Sequence, residues 1–202
     1  MVRIRSPTAL IAPLYDLLTA PLERTAFARW RRRLWSEVPP EGRGLEIGAG
    51  TGANFPFHPP GARIIATDIS ARMLREARGR REAARVPLVA ADTQALPFAD
   101  RSFDWVAETL VFCEVADPVR GLRELRRVLR PGGRLLMLEH VRPGGWLGAA
   151  ADAITAVTGP LVGEHFNRRP ERSLRAAGFV IERQEYLWRD LILLLVARCP
   201  AS

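Results

Sequence analysis

An apolar strand that runs directly into a glycine-rich turn is the feature that most restricts the fold of this chain. Residues 45–52 read LEIGAGTG, with Gly48, Gly50 and Gly52 at every second position of the turn. Glycine has no Cβ atom and accepts positive φ angles, so such a turn lets the backbone come close to a nucleotide-sized ligand. The pattern predicts the first strand of an α/β sheet with a ligand at its carboxyl end.

Strand and helix signals continue in alternation after this turn. Strands are predicted at 43–48, 63–68, 86–91, 103–108 and 134–139, with helices at 71–84 and 117–130. Such alternation favours a parallel sheet with helices on both faces. A helix at 170–177 is followed by strands at 179–187 and 190–198 with no helix between them, which predicts a hairpin. We therefore expect an α/β, Rossmann-like, doubly wound and mostly parallel seven-stranded sheet, with an antiparallel last strand and an N-terminal helical lid.

Composition adds few restrictions. The formal charge is +8, and all thirty basic residues are arginine. We attribute the missing lysine to codon bias, although arginine also favours anionic partners such as lipid headgroups. Cys113 and Cys199 lie far apart without metal-ligand spacing, which predicts a reduced cytoplasmic protein with no metal site. The longest apolar run, 191–197, is too short to span a bilayer, so any membrane contact would be peripheral.

Three acidic residues stand at or near the predicted carboxyl ends of the first three strands. Glu46 suits a ligand with a cationic head, such as an amino acid moiety or a sulfonium; alternatively it is a partly exposed acid paired with an arginine. Asp68 follows Gly48 by 20 residues, where a carboxylate can accept both hydroxyls of a ribose or cap a helix. Asp92 could accept from an adenine amino group or close a turn.

Four sequence blocks resemble, in order and spacing, the class I S-adenosylmethionine-dependent methyltransferases. They are residues 45–52, residues 67–74, residues 92–104 and residues 127–133. The resemblance covers 42–142 strongly. Within that superfamily the chain is similar to the small type 11 group, which includes ubiquinone/menaquinone C-methyltransferases, bacterial phosphatidylethanolamine N-methyltransferases and mammalian thiol S-methyltransferases. The segments 52–55, 109–113 and 139–141 look most like the last of these.

The resemblance implies S-adenosyl-L-methionine as cofactor, with S-adenosyl-L-homocysteine as its product. It also implies one domain over 1–202: a helical lid at 1–38, a cofactor-binding core at 42–142, a variable acceptor-pocket region at 143–170, and a C-terminal helix and hairpin at 171–202. The resemblance implies that the methionine end of the cofactor contacts Glu46, Gly48, Ala49, Gly50 and Gly52, and that the ribose contacts Asp68. It implies that the adenine contacts Ile69, Met73, Asp92 and Thr93. Thr109 and Leu110 would lie along the cofactor, and Tyr15 of the lid would close over it.

The catalytic candidates lie at the end of the fifth strand and in the variable region. His140 is the first candidate for a general base, and its alternative role is a structural histidine bonded to a loop carbonyl. Glu164 and His165 are candidate catalytic residues in the region where the acceptor pocket is expected, and Asn167 is a candidate acceptor contact there. Large aromatic residues such as Trp146 and Trp188 could line that pocket or belong to the core.

The sequence therefore predicts a methyltransferase for a small hydrophobic or lipid-like acceptor, such as a thiol or a quinone precursor. Phosphatidylethanolamine N-methylation is the alternative acceptor chemistry. An NAD(P)-dependent oxidoreductase is the rival enzyme, and the acid at Glu46 argues against it. A basic nucleic-acid-binding domain is the non-enzymatic alternative, but nucleic acid is not expected because no recognition-helix or RNA-binding pattern is present. The oligomeric state is left open.

Overall fold

Seven strands form the centre of the molecule. The computed structural model describes residues 26–162, 168–189 and 191–201, with side chains in these ranges except at 157–162. The strands are β1 (Arg43–Ile47), β2 (Arg63–Asp68), β3 (Leu88–Ala90), β4 (Phe103–Thr109), β5 (Leu129–His140), β6 (Val180–Trp188) and β7 (Ile192–Arg198). They make one sheet of order β3-β2-β1-β4-β5-β7-β6. Tyr15, Glu164, His165 and Asn167 lie outside the described residues.

The predicted topology is confirmed. The pairs β1–β2, β2–β3, β1–β4 and β4–β5 are parallel, whereas β7 is antiparallel to both β5 and β6. Five α-helices accompany the strands in the described ranges: α1 (Ala28–Trp35), α2 (Ala71–Arg78), α3 (Pro118–Val128), α4 (Gly145–Val162) and α5 (Pro170–Ala176). Two short 3-10 helices lie at Phe55–Phe57 and Arg81–Arg85. Because the carboxyl ends of parallel strands meet at one edge of a sheet, the predicted acids of β1 and β2 come together there.

Two apolar layers cover the two faces of the sheet. On one face, α3 and α5 pack over residues such as Ile47, Val106 and Met137. On the other face, α1 inserts Leu34 and Trp35 against β4 and β5. The described part of the predicted lid, 26–38, is therefore integrated into the core. Cys113 and Cys199 are both buried and form no disulfide.

The element boundaries differ from the predicted ones in three places. The helix predicted at 71–84 begins at its predicted residue, capped by the Ser70 hydroxyl, which accepts from the Met73 N–H at 3.2 Å, but it ends at Arg78 before Gly79. The last turn predicted for α3 is instead the start of β5, because Leu129 pairs with Phe103 of β4. The variable region contains α4, which the glycines around it obscured in the sequence.

Candidate active site

The glycine turn has the backbone conformation that its sequence predicts. Gly48, Gly50 and Gly52 have φ angles of +68°, +55° and +81°. A Cβ atom on Gly48 would lie 2.2 Å from Cγ2 of Val111, so the loop after β4 presses directly on the turn. A Cβ atom on Gly50 would meet nothing within 4 Å. The backbone at Gly50 therefore faces open space, as a ligand cradle requires, while Ala49 is buried beneath it.

Asp68 binds the turn from the end of β2. Its Oδ2 accepts from the Gly50 N–H at 2.8 Å, and its Oδ1 accepts from the Ser70 N–H at 2.8 Å. Burial raises the pKa of Asp68, and the two N–H bonds oppose that shift. Each carboxylate oxygen has a second lone pair, so these bonds leave acceptor capacity for hydroxyl groups. Both contacts are compatible with the predicted ribose role.

Glu46 lies inside a buried polar network. It is fully buried; its Oε1 accepts from the Asn54 amide at 2.8 Å, and its Oε2 lies 2.9 Å from Nε2 of His58. Asn54 in turn accepts from Nη1 of Arg31 on α1 at 2.6 Å. The alternative expectation of a partly exposed acid is wrong, because α1 and the loop after the turn cover the strand end and leave Glu46 0% exposed. Asn54 and His58 contact its two oxygens.

His58 is held by aromatic rings as well as by Glu46. Its ring centroid lies 4.4 Å from that of Trp35 and 5.3 Å from that of Phe55. Its Nδ1 atom is buried and has no hydrogen-bond partner within the part of the chain that the structure describes. The ring is thus fixed in the orientation that points Nε2 at the carboxylate.

The residues predicted to surround the adenine differ in accessibility. Ile69 is 37% exposed beside Asp68, whereas Met73 is buried on α2. Asp92 closes a turn, since its Oδ1 accepts from the Gln94 N–H at 2.8 Å, and Thr93 is half-buried next to it. The alternative turn role of Asp92 is therefore observed, and its adenine role stays a prediction.

The end of β4 joins the Glu46 network. Thr109 is buried, with its hydroxyl oxygen 3.3 Å from the Asn54 amide nitrogen. Leu110 follows with a φ of +58°, and its N–H donates to the Leu138 carbonyl at 2.7 Å. Both predicted cofactor contacts therefore lie at the same sheet edge as Glu46 and Asp68.

His140 ends β5 at this edge, beside β4. Burial lowers the pKa of its imidazole, so the ring is neutral at physiological pH and able to accept a proton.

Trp146 on α4 is 78% exposed, so it does not belong to the core. Trp188 is half-exposed at the end of β6, and its ring centroid lies 6.1 Å from that of Trp30.

Sequence reasoning missed several polar residues of this edge. Arg31, Asn54 and His58 complete the Glu46 network, and Asn54 stood within the quoted 52–55 segment without being assigned a role. Glu108 and Glu139 are buried acids near the ends of β4 and β5. The signal that marked Asp68, an acid at a strand end, could have identified both.

Comparison with known proteins agrees with this geometry. A family model described as a methyltransferase domain matches residues 45–137, which include most of β1, the glycine turn and most of β5. Residues 45–137 therefore match a methyltransferase domain. The chain is 43% identical over 141 residues to a demethylmenaquinone methyltransferase of Thermus thermophilus, covering 66% of this chain and 64% of that protein. It is 42% identical over 109 residues to the human thiol S-methyltransferase TMT1B, covering 50% of this chain and 45% of that protein.

The match to curated relatives is partial. The chain spans about 56% of a demethylmenaquinone methyltransferase of Renibacterium salmoninarum, which is 37% identical over 136 residues. Solved structures share the fold of this chain at lower identity. A SAM-dependent methyltransferase from Thermotoga maritima has a TM-score of 0.72 at 24% identity, covering 95% of this chain and 97% of that one. The [4+2]-cyclase SpnF has a TM-score of 0.73 at 22% identity, with 96% of each chain covered.

The described ranges contain neither a metal-ligand cluster nor a membrane-spanning helix. No group of three or more histidine, cysteine or acidic residues is placed to hold a metal ion there. No helix in those ranges has the length and apolar character needed to cross a membrane.

Proposed function

We propose that this protein is an S-adenosylmethionine-dependent methyltransferase whose acceptor is a small hydrophobic molecule, with a quinone precursor as the first candidate. The observation that carries the proposal is the juxtaposition of two acids, the buried Glu46 and the half-buried Asp68, with a glycine turn that is open at Gly50. Acids on both sides of the turn suit a cationic ligand better than they suit a pyrophosphate, which favours helix N–H groups without a carboxylate. The NAD(P)-dependent alternative is therefore not favoured.

The residues present fit the cofactor. The carboxylate of Glu46 matches the cationic methionine end, and Asp68 retains acceptor capacity for the ribose hydroxyls. Ile69, Met73, Asp92 and Thr93 would flank the adenine, and Thr109 and Leu110 would run along the cofactor, with Tyr15 as a further proposed contact. When bound, the sulfonium supplies a methyl group that is already activated for in-line displacement. The protein contributes chiefly position and orientation, which can supply about 7–11 kcal/mol in favourable cases.

A quinone precursor is the preferred acceptor because several of the similar proteins are demethylmenaquinone methyltransferases. A thiol is the second candidate, supported by the 42% identity to the human thiol S-methyltransferase over 109 residues. Neutral His140 would accept the proton that either acceptor releases. Glu164 and His165 stay proposed catalytic residues. Phosphatidylethanolamine methylation is not favoured.

We place the protein in the cytoplasm, with peripheral membrane contact left open.

Calorimetric titration with S-adenosylhomocysteine tests the cofactor. We expect saturable binding by the wild-type protein, and Asp68→Ala should weaken the affinity at least about tenfold because a charged acceptor is lost. Circular dichroism of the variant must match the wild type. An absence of binding by the wild type would refute the proposal.

Transfer of a radiolabelled methyl group then distinguishes the acceptors. We expect label in a demethylated quinone, and a competing assay with a small alkyl thiol tests the second candidate. Label in the thiol alone would reverse the order of the two candidates, and label in phosphatidylethanolamine vesicles would replace both.

A further inference from the structure

Two buried glutamates outside the predicted site lie side by side in the interior. Glu108 is the last residue but one of β4, and Glu139 is the last residue but one of β5. These strands are parallel neighbours in the sheet, and the two side chains are 0% and 2% exposed. Nothing in the proposed cofactor contacts requires an acid at either position.

The two carboxyl groups share a single backbone donor. The Val111 N–H points at Oε2 of Glu108 at 3.2 Å and at Oε1 of Glu139 at 3.0 Å. Oxygens that share one N–H lie close together, and two full negative charges in contact away from water repel strongly. Oε1 of Glu108 is also buried without a donor from the described residues. A proton held between the two groups removes the repulsion, and it leaves Oε1 of Glu108 on an uncharged group, for which a missing donor costs less.

The surrounding charges decide which group keeps that proton. Arg168, in the chain just before α5, faces Glu139 and has Cys113 and Asp117 as its own charged or titratable neighbours. Apart from Glu139 and Arg168, the small cavity beside Glu139 is lined by side chains without charge: Phe112, Pro118, Leu122, Met137, Pro170 and Ser173.

Burial raises the pKa of Glu139 to about 7, and burial together with the Glu139 charge raises the pKa of Glu108 well above its usual range. Glu139 is therefore the member that ionises, and Glu108 retains the proton.

The pair is connected to the glycine turn through the loop that follows β4. Besides the shared Val111 contact, Oε1 of Glu139 accepts from the Phe112 N–H at 2.7 Å. The preceding residue, Leu110, has a φ of +58°, which turns the loop back toward the sheet edge. The Val111 side chain fills the space next to Gly48, as the 2.2 Å separation of an added Cβ atom from its Cγ2 shows. The carboxyl pair thus fixes the loop, and the loop fixes one wall of the turn.

We propose that Glu108 and Glu139 are positioning residues that share one proton and thereby hold the 110–112 loop against the glycine turn, so that cofactor affinity depends on the protonation state of the pair. The proposal rests on the proposed cofactor site but adds a residue role and a pH dependence that the site contacts do not require. Removing the shared proton at alkaline pH places two charges together and loosens the loop.

The test is a set of titrations with S-adenosylhomocysteine between about pH 6 and about pH 9. For the wild type we expect affinity to fall at least about fivefold at the alkaline end, since each pH unit above an ionisation costs up to about tenfold. Glu108→Gln supplies an amide donor that cannot ionise, so its affinity should change less than about twofold between neutral and alkaline pH. Glu139→Gln loses the anionic acceptor of two N–H groups and should bind about tenfold more weakly at neutral pH.

Glu182→Gln is the matched control, because it makes the same chemical change on the edge strand β6, where Glu182 forms an exposed ion pair with Arg198 of β7. It should follow the wild-type pH profile. A Glu108→Gln profile as steep as that of the wild type, or a flat wild-type profile, would overturn the proposal. A wild type that binds at no pH would refute the cofactor assignment instead. In that case, the pH dependence of unfolding in the wild type and Glu108→Gln still tests the shared proton.

Discussion

At the carboxyl ends of β1 and β2, the buried Glu46 and the half-buried Asp68 have a donor for each carboxyl oxygen, whereas at the ends of β4 and β5 two buried acids have too few donors. Glu46 is served by Asn54 and His58, and Asp68 by the N–H groups of Gly50 and Ser70. The four oxygens of Glu108 and Glu139 receive only the N–H groups of Val111 and Phe112 within the described part of the chain.

The comparison shows that burial alone does not decide what an acid does. A carboxylate with a donor on each oxygen is stabilised in its charged form, which suits contact with a cationic ligand. A carboxyl pair that lacks donors must hold a proton to remain buried, and it becomes sensitive to pH. The two pairs occupy one edge of one sheet, so the difference comes from the loops that follow each strand rather than from the sheet.

The largest predicted effect is on the free energy of unfolding, which should fall much more when Glu46 is replaced than when Glu108 is replaced. Glu46→Leu removes the buried acceptor of the His58 ring and of one N–H of Asn54, and it should lower the free energy of unfolding by about 3 kcal/mol. Glu108→Leu leaves Val111 bonded to Glu139 and removes a buried acid, so its cost should stay below about 1 kcal/mol. Urea unfolding measures both. Equal losses would show that the donor count does not distinguish the pairs.

A second comparison tests the contact between the loop and the turn. Gly48→Ala combines a left-handed φ with a clash against Val111 and should destabilise the fold by about 2–3 kcal/mol. Gly50→Ala has a similar φ but open space, and should cost only about 1 kcal/mol. Thermal unfolding of the two variants isolates the Val111 contact. A Gly50→Ala loss as large as that of Gly48→Ala would argue against it.

The pH dependence of folding sharpens the comparison further. The pKa of Glu139 is raised to about 7, so the folded state holds a proton that the unfolded chain releases above about pH 4.5. The free energy of unfolding should therefore fall as pH rises from about 4.5 to about 7, by on the order of 1 kcal/mol per pH unit. The raised pKa of Glu108 extends the loss to higher pH.

Glu108→Gln retains Glu139, so it should keep the fall in stability below about pH 7. It should lose the further fall above that pH and be more stable than the wild type at about pH 9. Denaturant unfolding across the pH range provides the measurement. The same slope above about pH 7 in both proteins would place that titrating group elsewhere.

The smallest predicted effect concerns the link between β4 and the Glu46 network. Thr109→Val keeps the side-chain shape but removes the hydroxyl that lies 3.3 Å from the Asn54 amide nitrogen. Because Asn54 still donates to Glu46, the loss should be about 1 kcal/mol or less in urea unfolding. A loss as large as that of Glu46→Leu would show that Thr109 and Asn54 act as one unit with Glu46.

Most of the fold could be predicted because it follows from local patterns. The glycine turn, the alternation of strands and helices, and the helix-free link before β7 determine the order and direction of the strands. The end of α2 before Gly79 and the start of β5 at Leu129 were missed, since they depend on a glycine and on pairing with Phe103 across the sheet. Such boundaries are set by tertiary contacts rather than by the local sequence.

The site was predictable where acids adjoin the glycine turn, as at Glu46 and Asp68. It was not predictable where a side chain acts through residues distant in sequence. His58 meets Glu46 only because a loop between prolines folds back beneath Trp35. Glu108 meets Glu139 only through the parallel pairing of β4 with β5. The roles of the predicted cofactor contacts stay predictions.

The two buried cysteines make local opening measurable by chemistry. The Cys113 thiol donates to the Leu110 carbonyl at 3.4 Å, next to the segment that the carboxyl pair holds, whereas Cys199 lies beyond β7 near the Arg126 carbonyl. An alkylating reagent reaches a buried sulfur only during transient opening. Native-state alkylation of this chain therefore gives two rates, that of Cys113 beside the ligand edge and that of Cys199 at the opposite edge of the sheet. The ratio of the two alkylation rates distinguishes opening of the loop from global unfolding.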